Sequence, residues 1–151
     1  MKKTRYLVCA LALAVAAWPL TPPFASPRCY PTTRFVVLAG GLVRDTLTQL
    51  VWQQQASSTG MNWAAAKTYC SSAGSSFRLP TVKELVSLVD LTVTSGAKIN
   101  QTAFPGAPAA NFWTSSPSAG SSGDAWYVNF NIGGSSDIVV STSYVRVRCV
   151  R

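Results

Sequence analysis

The segment Arg78-Leu-Pro-Thr-Val-Lys-Glu-Leu-Val-Ser-Leu-Val-Asp90 contains the strongest local folding signal in the chain. Thr81 and Glu84 have the spacing of a capping box, in which the Thr81 hydroxyl accepts from the Glu84 amide and the Glu84 carboxylate accepts from the Thr81 amide. Pro80 disfavours helix at Leu79 and so defines where the helix begins. Apolar residues then recur at helical spacing, namely Val82, Leu85, Val86 and Val89. The segment therefore predicts an amphipathic helix with one face on a core.

A second helical pattern lies just before this segment. It begins near Asn62, whose side chain suits a helix N-cap, and it stops at Gly74. The residues on one face of this helix are small or apolar, namely Trp63, Ala66, Cys70 and Ala73. We therefore expect the Cys70 side chain to lie on the buried face.

The remaining pattern predicts short antiparallel strands. Residues 34–38 and 42–43 form a hairpin about the Gly40-Gly41 turn, and residues 47–53 are a further extended piece. Residues 92–110 are rich in glycine and proline and predict a loop, and residues 112–114 predict a short strand. Residues 126–132 alternate between apolar and polar side chains, and a turn at residues 133–136 returns the chain through residues 138–140.

The final strand has two distinct faces. Val145, Val147 and Cys149 share the face that we expect to point inward, while Arg146 and Arg148 occupy the opposite face. Because Cys70 and Cys149 are both predicted to face the core, a disulfide between them is favoured, which leaves Cys29 unpaired. A Cys29–Cys149 pairing is the alternative.

The N-terminus has the pattern of a secretory signal peptide. Lys2, Lys3 and Arg5 precede an uncharged apolar run over residues 6–20, which is too short for a membrane span. We expect a signal peptide over residues 1–25, an irregular lead-in over residues 26–33 and a single domain over residues 34–151. The predicted location is the periplasm, the cell surface or the medium, where disulfides persist, and we expect no stable membrane span after cleavage.

The residue inventory argues against an enzyme. The sequence has no His, which excludes His-dependent nucleophilic triads and His metal sites. Glu84 and Asp90 have structural explanations in their helix, and Asp45, Asp124 and Asp137 lie in predicted turns. We therefore expect no catalytic residue, no metal site and no cofactor.

The chain is basic, with 13 Lys and Arg against 5 Asp and Glu. Its cations are scattered singly, without the clusters of nucleic-acid binders, so we expect no nucleic-acid partner. Two sets of residues are candidates for ligand contact, with an ordinary solvated surface as the alternative for both. One is the polar face of a strand, made of Tyr127, Asn129 and Asn131. The other is a basic stripe suited to anions, made of Arg146, Arg148 and Arg151.

Four stretches of the sequence form a recognisable set. The first is Val43-Arg-Asp45 with Leu50-Val-Trp52, and the second is Trp63-Ala-x-Ala-x-x-Tyr69-Cys70. The third is Arg78-Leu-Pro-Thr81-x-x-Glu84-Leu85-x-x-Leu88-x-Asp90. The fourth is Phe112-Trp113-Thr-Ser115 with Ala125-Trp126-x-Val128-x-Phe130 and Val147-Arg-Cys-Val-Arg151. Together they resemble the C-terminal domain of the Legionella collagen-like adhesin, a family long described as a domain of unknown function.

The resemblance implies an α+β, C-type-lectin-like fold, in which two helices flank small antiparallel β-sheets and the termini pair in one sheet. It also implies a bridge from the first helix to the last strand. The chain lacks the Glu-Pro-Asn, Gln-Pro-Asp and Trp-Asn-Asp signatures of calcium-dependent lectins, so we expect no calcium-dependent sugar binding.

In function, the resemblance implies an exported, non-catalytic binding module that recognises a glycan, a polyanion or an envelope or surface protein without calcium. A structural or assembly protein of the cell envelope, linked through Cys29 or its sheet edges, is the alternative. A third hypothesis is an oxidase like the formylglycine-generating enzymes, which rely on paired cysteines. The oligomeric state does not follow from the sequence.

Overall fold

The computed structural model describes residues 33–74 and 76–151. The predicted signal peptide, residues 26–32 of the lead-in and Cys29 with them lie outside the described residues. The elements in chain order are β1 (Phe35–Leu38), β2 (Leu42–Asp45), β3 (Val51–Gln53), α1 (Trp63–Ser72), α2 (Val82–Val86), β4 (Asn111–Pro117), β5 (Asp124–Asn129) and β6 (Gly134–Val139). These two helices and two three-stranded antiparallel sheets confirm the α+β class.

The first sheet has the order β1-β2-β3, and the last residues of the chain lie beside it. Gly40 and Gly41 turn the β1–β2 hairpin at φ of 77° and 68°, a conformation that favours glycine. Val51 and Arg151 exchange two backbone hydrogen bonds, of 2.8 and 2.9 Å. The C-terminal residues therefore pair with the sheet that contains the first described strand.

The second sheet has the order β4-β5-β6, and its closing turn begins earlier than predicted. The turn spans residues 130–133, and Gly134 already pairs with Asn129. The Asn129 Oδ1 atom accepts hydrogen bonds from the backbone amides of Asn131 and Ile132, which closes the chain at that point. As a result, the Ile132 side chain is 66% exposed instead of facing the core.

Helix α1 confirms the prediction at its start. The Asn62 Oδ1 atom accepts from the Ala65 amide at 2.9 Å, and Ala66 and Cys70 are buried. Ala73, predicted on the buried face, lies just beyond the helix as its C-cap and is exposed.

Helix α2 has the predicted capping box but is shorter than expected. Beyond Val86 the amides of Leu88 and Val89 bond to carbonyls three residues back, as in a 3₁₀ turn. This tighter winding changes which side chains face inward, because residues three apart then lie above one another. Leu88 is therefore buried, whereas Val86 is 40% exposed, so its predicted place on the core face was wrong.

Strands β4 and β5 of the second sheet have buried core residues on both of their faces. Phe112 and Val128 belong to one buried cluster, and Trp113 and Ala125 belong to another. Tyr127, predicted on a solvated face, is half-buried and packs against the second cluster. The alternating pattern of β5 therefore reflects two packed faces and not one packed and one solvated face.

The loop over residues 92–110 is part of the core. It has no helix or strand, as predicted, and residues 89 and 99 make an isolated bridge across its start. Its buried side chains join the first cluster, and they are Ala97, Ile99, Ala103 and Phe104. An irregular segment thus covers a large part of the apolar interior.

A disulfide joins Cys70 of α1 to Cys149 of the C-terminal segment, with Cα atoms 5.4 Å apart. Both side chains are fully buried. The favoured pairing is therefore confirmed, and the Cys29–Cys149 alternative is wrong. The C-terminal segment is not the regular strand that we predicted, since it makes isolated bridges to Trp52, Met61, Arg78 and Phe112.

Candidate functional site

The predicted basic stripe was wrong at Arg148, because this side chain is only 1% exposed and is not on the surface. The Nη1 atom donates to the Gln53 carbonyl at 2.7 Å and to the Gln54 carbonyl. Its guanidinium lies over the Phe104 and Phe112 rings, 4.6 and 5.9 Å from their centres. Burial lowers the pKa of Arg148 to about 10, so the group stays charged at neutral pH.

This buried cation is a structural cross-link and not a surface anion site. It joins the segment after β3, the loop over residues 92–110 and β4. Its Nε atom is buried without a partner among the described residues. Sequence periodicity placed Arg148 on the face opposite Cys149, but it could not show that the long loop covers that face.

The other two arginines of the stripe do not lie together either. Arg146 is half-buried and donates from Nη1 to the carbonyls of Ser57 and Ser58, at 2.8 and 2.6 Å. Arg151 is exposed, and its guanidinium lies 5.0 Å from the centre of the Phe77 ring. Each arginine therefore contributes to a different part of the surface.

The predicted polar strand face is also dispersed. Tyr127 packs on the core, Asn129 closes the β5–β6 turn, and Asn131 is exposed within that turn. The three side chains therefore have separate places in the core, in a turn and on the surface, and the structure does not bring them together as a pocket.

The residues of the third family stretch hold the fold together. Arg78 makes a two-pronged ion pair with Glu84, with both N–O distances 2.8 Å. The hydrogen bond from Arg78, opposed by partial burial and supported by the Thr81 amide, lowers the pKa of Glu84 to about 2. Leu79 and Leu85 are buried behind the helix start.

Asp90 of the third stretch, and Trp113 and Trp126 of the fourth, also make hydrogen bonds within the fold. The Asp90 carboxylate accepts from the amide and hydroxyl of Thr92. The Trp113 indole donates to the Met61 carbonyl at 2.8 Å. Trp126 is half-buried in β5, and its carbonyl accepts from the Thr114 hydroxyl at 2.8 Å.

Asp45 shows a further ion pair that the sequence did not indicate. It ends β2 and is fully buried, and its Oδ2 atom lies 2.7 Å from the Arg34 Nη2 atom. Burial alone would raise the pKa of Asp45, but hydrogen bonds from Arg34 and the Leu47 amide outweigh it and lower the pKa. The prediction that Asp45 bonds the backbone of a turn is correct only for the hydrogen bond that its carboxylate accepts from the Leu47 amide.

The described part of the chain contains neither a cluster of potential metal ligands nor a helix that could span a membrane. Within residues 33–74 and 76–151, no three His, Cys, Asp or Glu side chains come close enough to share a metal ion. None of the helices described there is long and apolar enough to cross a bilayer.

A groove of about 420 Å³ lies between the β1–β2 turn, the end of β3 and helix α1. We call it the aromatic groove, and its lining residues include Gly40, Gly41, Gln53, Gln55, Tyr69 and Phe77. None of these was predicted as a site residue. The sequence contained one hint, which was Tyr69. It directly precedes Cys70, so in a helix with Cys70 buried its side chain lies at the border of the buried face.

The disulfide positions two walls of the aromatic groove. Tyr69 directly precedes Cys70, and the Gln53 Oε1 atom accepts from the Cys149 amide at 3.2 Å. A second groove, of about 320 Å³, shares Gln55 with the first and is lined by Arg146. The two grooves thus meet at Gln55 and form one extended surface.

A larger groove, of about 730 Å³, lies between β1 and the segment after α2. Its charged lining residues are engaged internally, Arg34 with Asp45 and Asp90 with Thr92. Its larger apolar lining residues are Phe35, Val37, Leu88, Val89 and Leu91.

Two arginines lie on the same side of the first sheet as the aromatic groove. Arg44 is directly opposite Val51 in the β2–β3 register, and Arg151 pairs with Val51 from the other side. Directly opposed residues of antiparallel strands project from the same face, so both side chains flank Val51. Leu42 and Gln53 of the groove are opposed two residues further along the two strands and so share that face.

The model of one known family matches most of the chain. The match is to the Lcl C-terminal domain and covers residues 41–151. No curated protein and no solved structure gave a significant match. The matched region contains α1, α2, the disulfide and the second sheet in full. The chain therefore belongs to the Lcl C-terminal domain family.

Proposed function

We propose that this domain is a non-catalytic binding module, outside the cell or on its surface, that recognises a polyanionic glycan without calcium. Family membership supports the extracellular or surface location. The proposal includes a C-type-lectin-like arrangement, for which the pairing of Val51 with Arg151 beside the N-terminal sheet is the supporting feature.

The observation that carries this proposal is the pair of arginines on the first sheet, Arg44 and Arg151, which we call the basic pair. Both residues are exposed, and neither forms an ion pair with another described residue. Adjacent strands are about 4.8 Å apart, so residues two strands apart are separated by about 10 Å at the backbone. This spacing suits two anionic groups of one extended polymer, and arginine binds sulfate and carboxylate through two parallel hydrogen bonds.

Four of the five carboxylates support a binding role over a catalytic one. Asp45 and Glu84 are held in ion pairs, and Asp90 bonds its own turn. Asp137 accepts from the Ser118 hydroxyl. A general acid or base must reach a substrate, and these groups are already directed at the protein.

Retention on immobilised dextran sulfate tests the proposal, with unsulfated dextran and duplex DNA as comparison polymers. We expect retention on dextran sulfate that is unchanged by a chelator and lost at high salt, because exposed charge contacts are screened. Binding to DNA should be weaker. Loss of retention with the chelator, or equal retention on unsulfated dextran, would contradict the proposal.

Variants of the basic pair locate the contact. Arg44→Gln with Arg151→Gln should weaken dextran sulfate binding by about tenfold, since each exposed contact contributes at most about 1 kcal/mol. Lys67→Gln with Lys83→Gln is the matched control, because it also removes two positive charges, from exposed residues of α1 and α2. If the control weakens binding as much as the paired variant does, net charge and not this face explains retention.

A further inference from the structure

The aromatic groove lies beside the basic pair and on the same face of the first sheet. We infer that this groove is a saccharide subsite, which takes a pyranose ring whose hydroxyl groups are equatorial. The inference rests on the proposed function and deepens it, because it names the part of the glycan that is read by shape and hydrogen bonding. The basic pair by itself reads only charge.

Two aromatic side chains supply the apolar part of the groove. Tyr69 is 37% exposed on α1, Phe77 is half-buried in the segment after that helix, and both line the groove. A pyranose with equatorial hydroxyls presents C–H groups on both faces of its ring, and an aromatic ring is the side chain that best covers such a surface. The Arg151 guanidinium over the Phe77 ring places a cation at the edge of this apolar wall.

Two amide side chains supply the polar part. Gln53 is oriented by the hydrogen bond that its Oε1 atom accepts from the Cys149 amide, which leaves the Nε2 group without a bond to another described residue. Gln55 is exposed and makes no side-chain bond within the described part of the chain. An oriented amide donor near an apolar wall matches the hydroxyl groups at the rim of a sugar ring.

The floor near the β1–β2 turn is bare backbone. Gly40 and Gly41 have no side chain, and a Cβ atom added to either would have no neighbour within 4 Å. The volume of about 420 Å³ falls within the range of roughly 300–1,000 Å³ that small-molecule sites occupy. The groove therefore has room for a ring at the turn without displacement of the protein.

The walls are joined covalently before any ligand binds. The Cys70–Cys149 disulfide connects the helix that carries Tyr69 to the segment that orients Gln53. A site with fixed walls loses less conformational entropy on binding than one that must be assembled. This link between the disulfide and the groove distinguishes it from the larger groove beside β1.

Titration of the ¹⁵N-labelled protein with cellotriose, followed by NMR, tests the inference. We expect the amide signals of Gly40, Gly41, Gln55 and Tyr69 to shift together. Tyr69→Ala should weaken cellotriose binding by about tenfold, whereas Tyr69→Phe should retain most of it, because stacking needs the ring and not the hydroxyl. Tyr144→Ala is the matched control, since Tyr144 is 64% exposed and lies outside the groove.

The failure of this inference is distinguishable from the failure of the proposed function. Shifts confined to other residues, no shift at all, or equal binding by Tyr69→Ala would overturn the subsite, while retention on dextran sulfate would still support the binding module. Conversely, a protein that binds cellotriose in the groove but is not retained on dextran sulfate would support the subsite and contradict the polyanion proposal. Unchanged dispersion of the spectrum shows that each variant is folded.

Discussion

The guanidinium carbon of Arg148 lies 4.6 Å from the centre of the Phe104 ring, within the interior of the domain. This contact attaches the loop over residues 92–110 to the C-terminal segment. The loop has no regular structure of its own, so its position depends on side chains such as Phe104 that enter the core. Arg148 therefore stabilises the part of the fold with the least local order.

Replacement of Arg148 by Ala should lower the free energy of unfolding by about 2–4 kcal/mol. The variant loses the aromatic contacts and leaves the Gln53 and Gln54 carbonyls without this donor, as well as opening a cavity. Chemical denaturation monitored by tryptophan fluorescence measures the change. Arg44→Ala, at an exposed position, should stay within about 0.5 kcal/mol of the parent protein. Similar stabilities of the two variants would show that the buried contacts of Arg148 contribute little.

The disulfide closes a long loop, because its cysteines are 79 residues apart in the chain. In the chain-entropy description, loss of such a link by Cys70→Ser with Cys149→Ser costs about 4 kcal/mol, through greater freedom of the unfolded chain. We expect a reductant to lower the melting temperature of the parent protein and to leave that of the double variant unchanged. Cys29→Ser should respond to the reductant as the parent does. If Cys29→Ser removes the response, Cys29 belongs to the structural disulfide.

The Arg78–Glu84 pair predicts a specific dependence on acid. The pKa of Glu84 is about 2 in the folded protein, below its ordinary value of 4.5. A lowered folded-state pKa adds stability above pH 4.5, and this contribution is lost as the pH falls from about 4.5 to about 2. Because the pair is partly exposed, we expect on the order of 1–2 kcal/mol.

Glu84→Gln isolates that contribution. The variant should be less stable than the parent at neutral pH, and the difference should shrink as the pH falls below 4.5. Asp45, whose pKa is also lowered, is present in both proteins and so cancels in the comparison. Denaturation curves across this pH range make the measurement, and a difference that is independent of pH would contradict the assigned role of Glu84.

Gly60 is required because the backbone of Tyr144 passes close to it. A Cβ atom at residue 60 would lie 2.4 Å from the Tyr144 carbonyl carbon, which cannot move without displacing the main chain. Gly60→Ala should therefore cost about 1–3 kcal/mol, the usual effect of overpacking. Gly123→Ala is the matched control, because a Cβ there meets nothing within 4 Å. Equal melting temperatures for the two variants would show that the contact relaxes freely.

Local features of the fold were predictable from the sequence. The Thr81–Glu84 capping box and the Asn62 cap each join residues three apart, so a short stretch of sequence contains both partners. The disulfide was also predictable, since helical and strand periodicity each placed one cysteine on a buried face. The two helices and the short antiparallel strands followed from the same patterns, whereas the family resemblance implied the α+β class.

Apart from the disulfide, contacts between distant segments were not predictable, and they decided where the candidate site lies. Arg148 is buried because the loop over residues 92–110, which is distant in the sequence, covers it. Tyr127 is half-buried because β5 has core on both sides. The aromatic groove combines a turn, a strand end and a helix that no sequence period connects. Short-range hydrogen bonding and periodicity reveal the elements and their inner faces, whereas the surfaces that remain open to a ligand depend on how those elements pack.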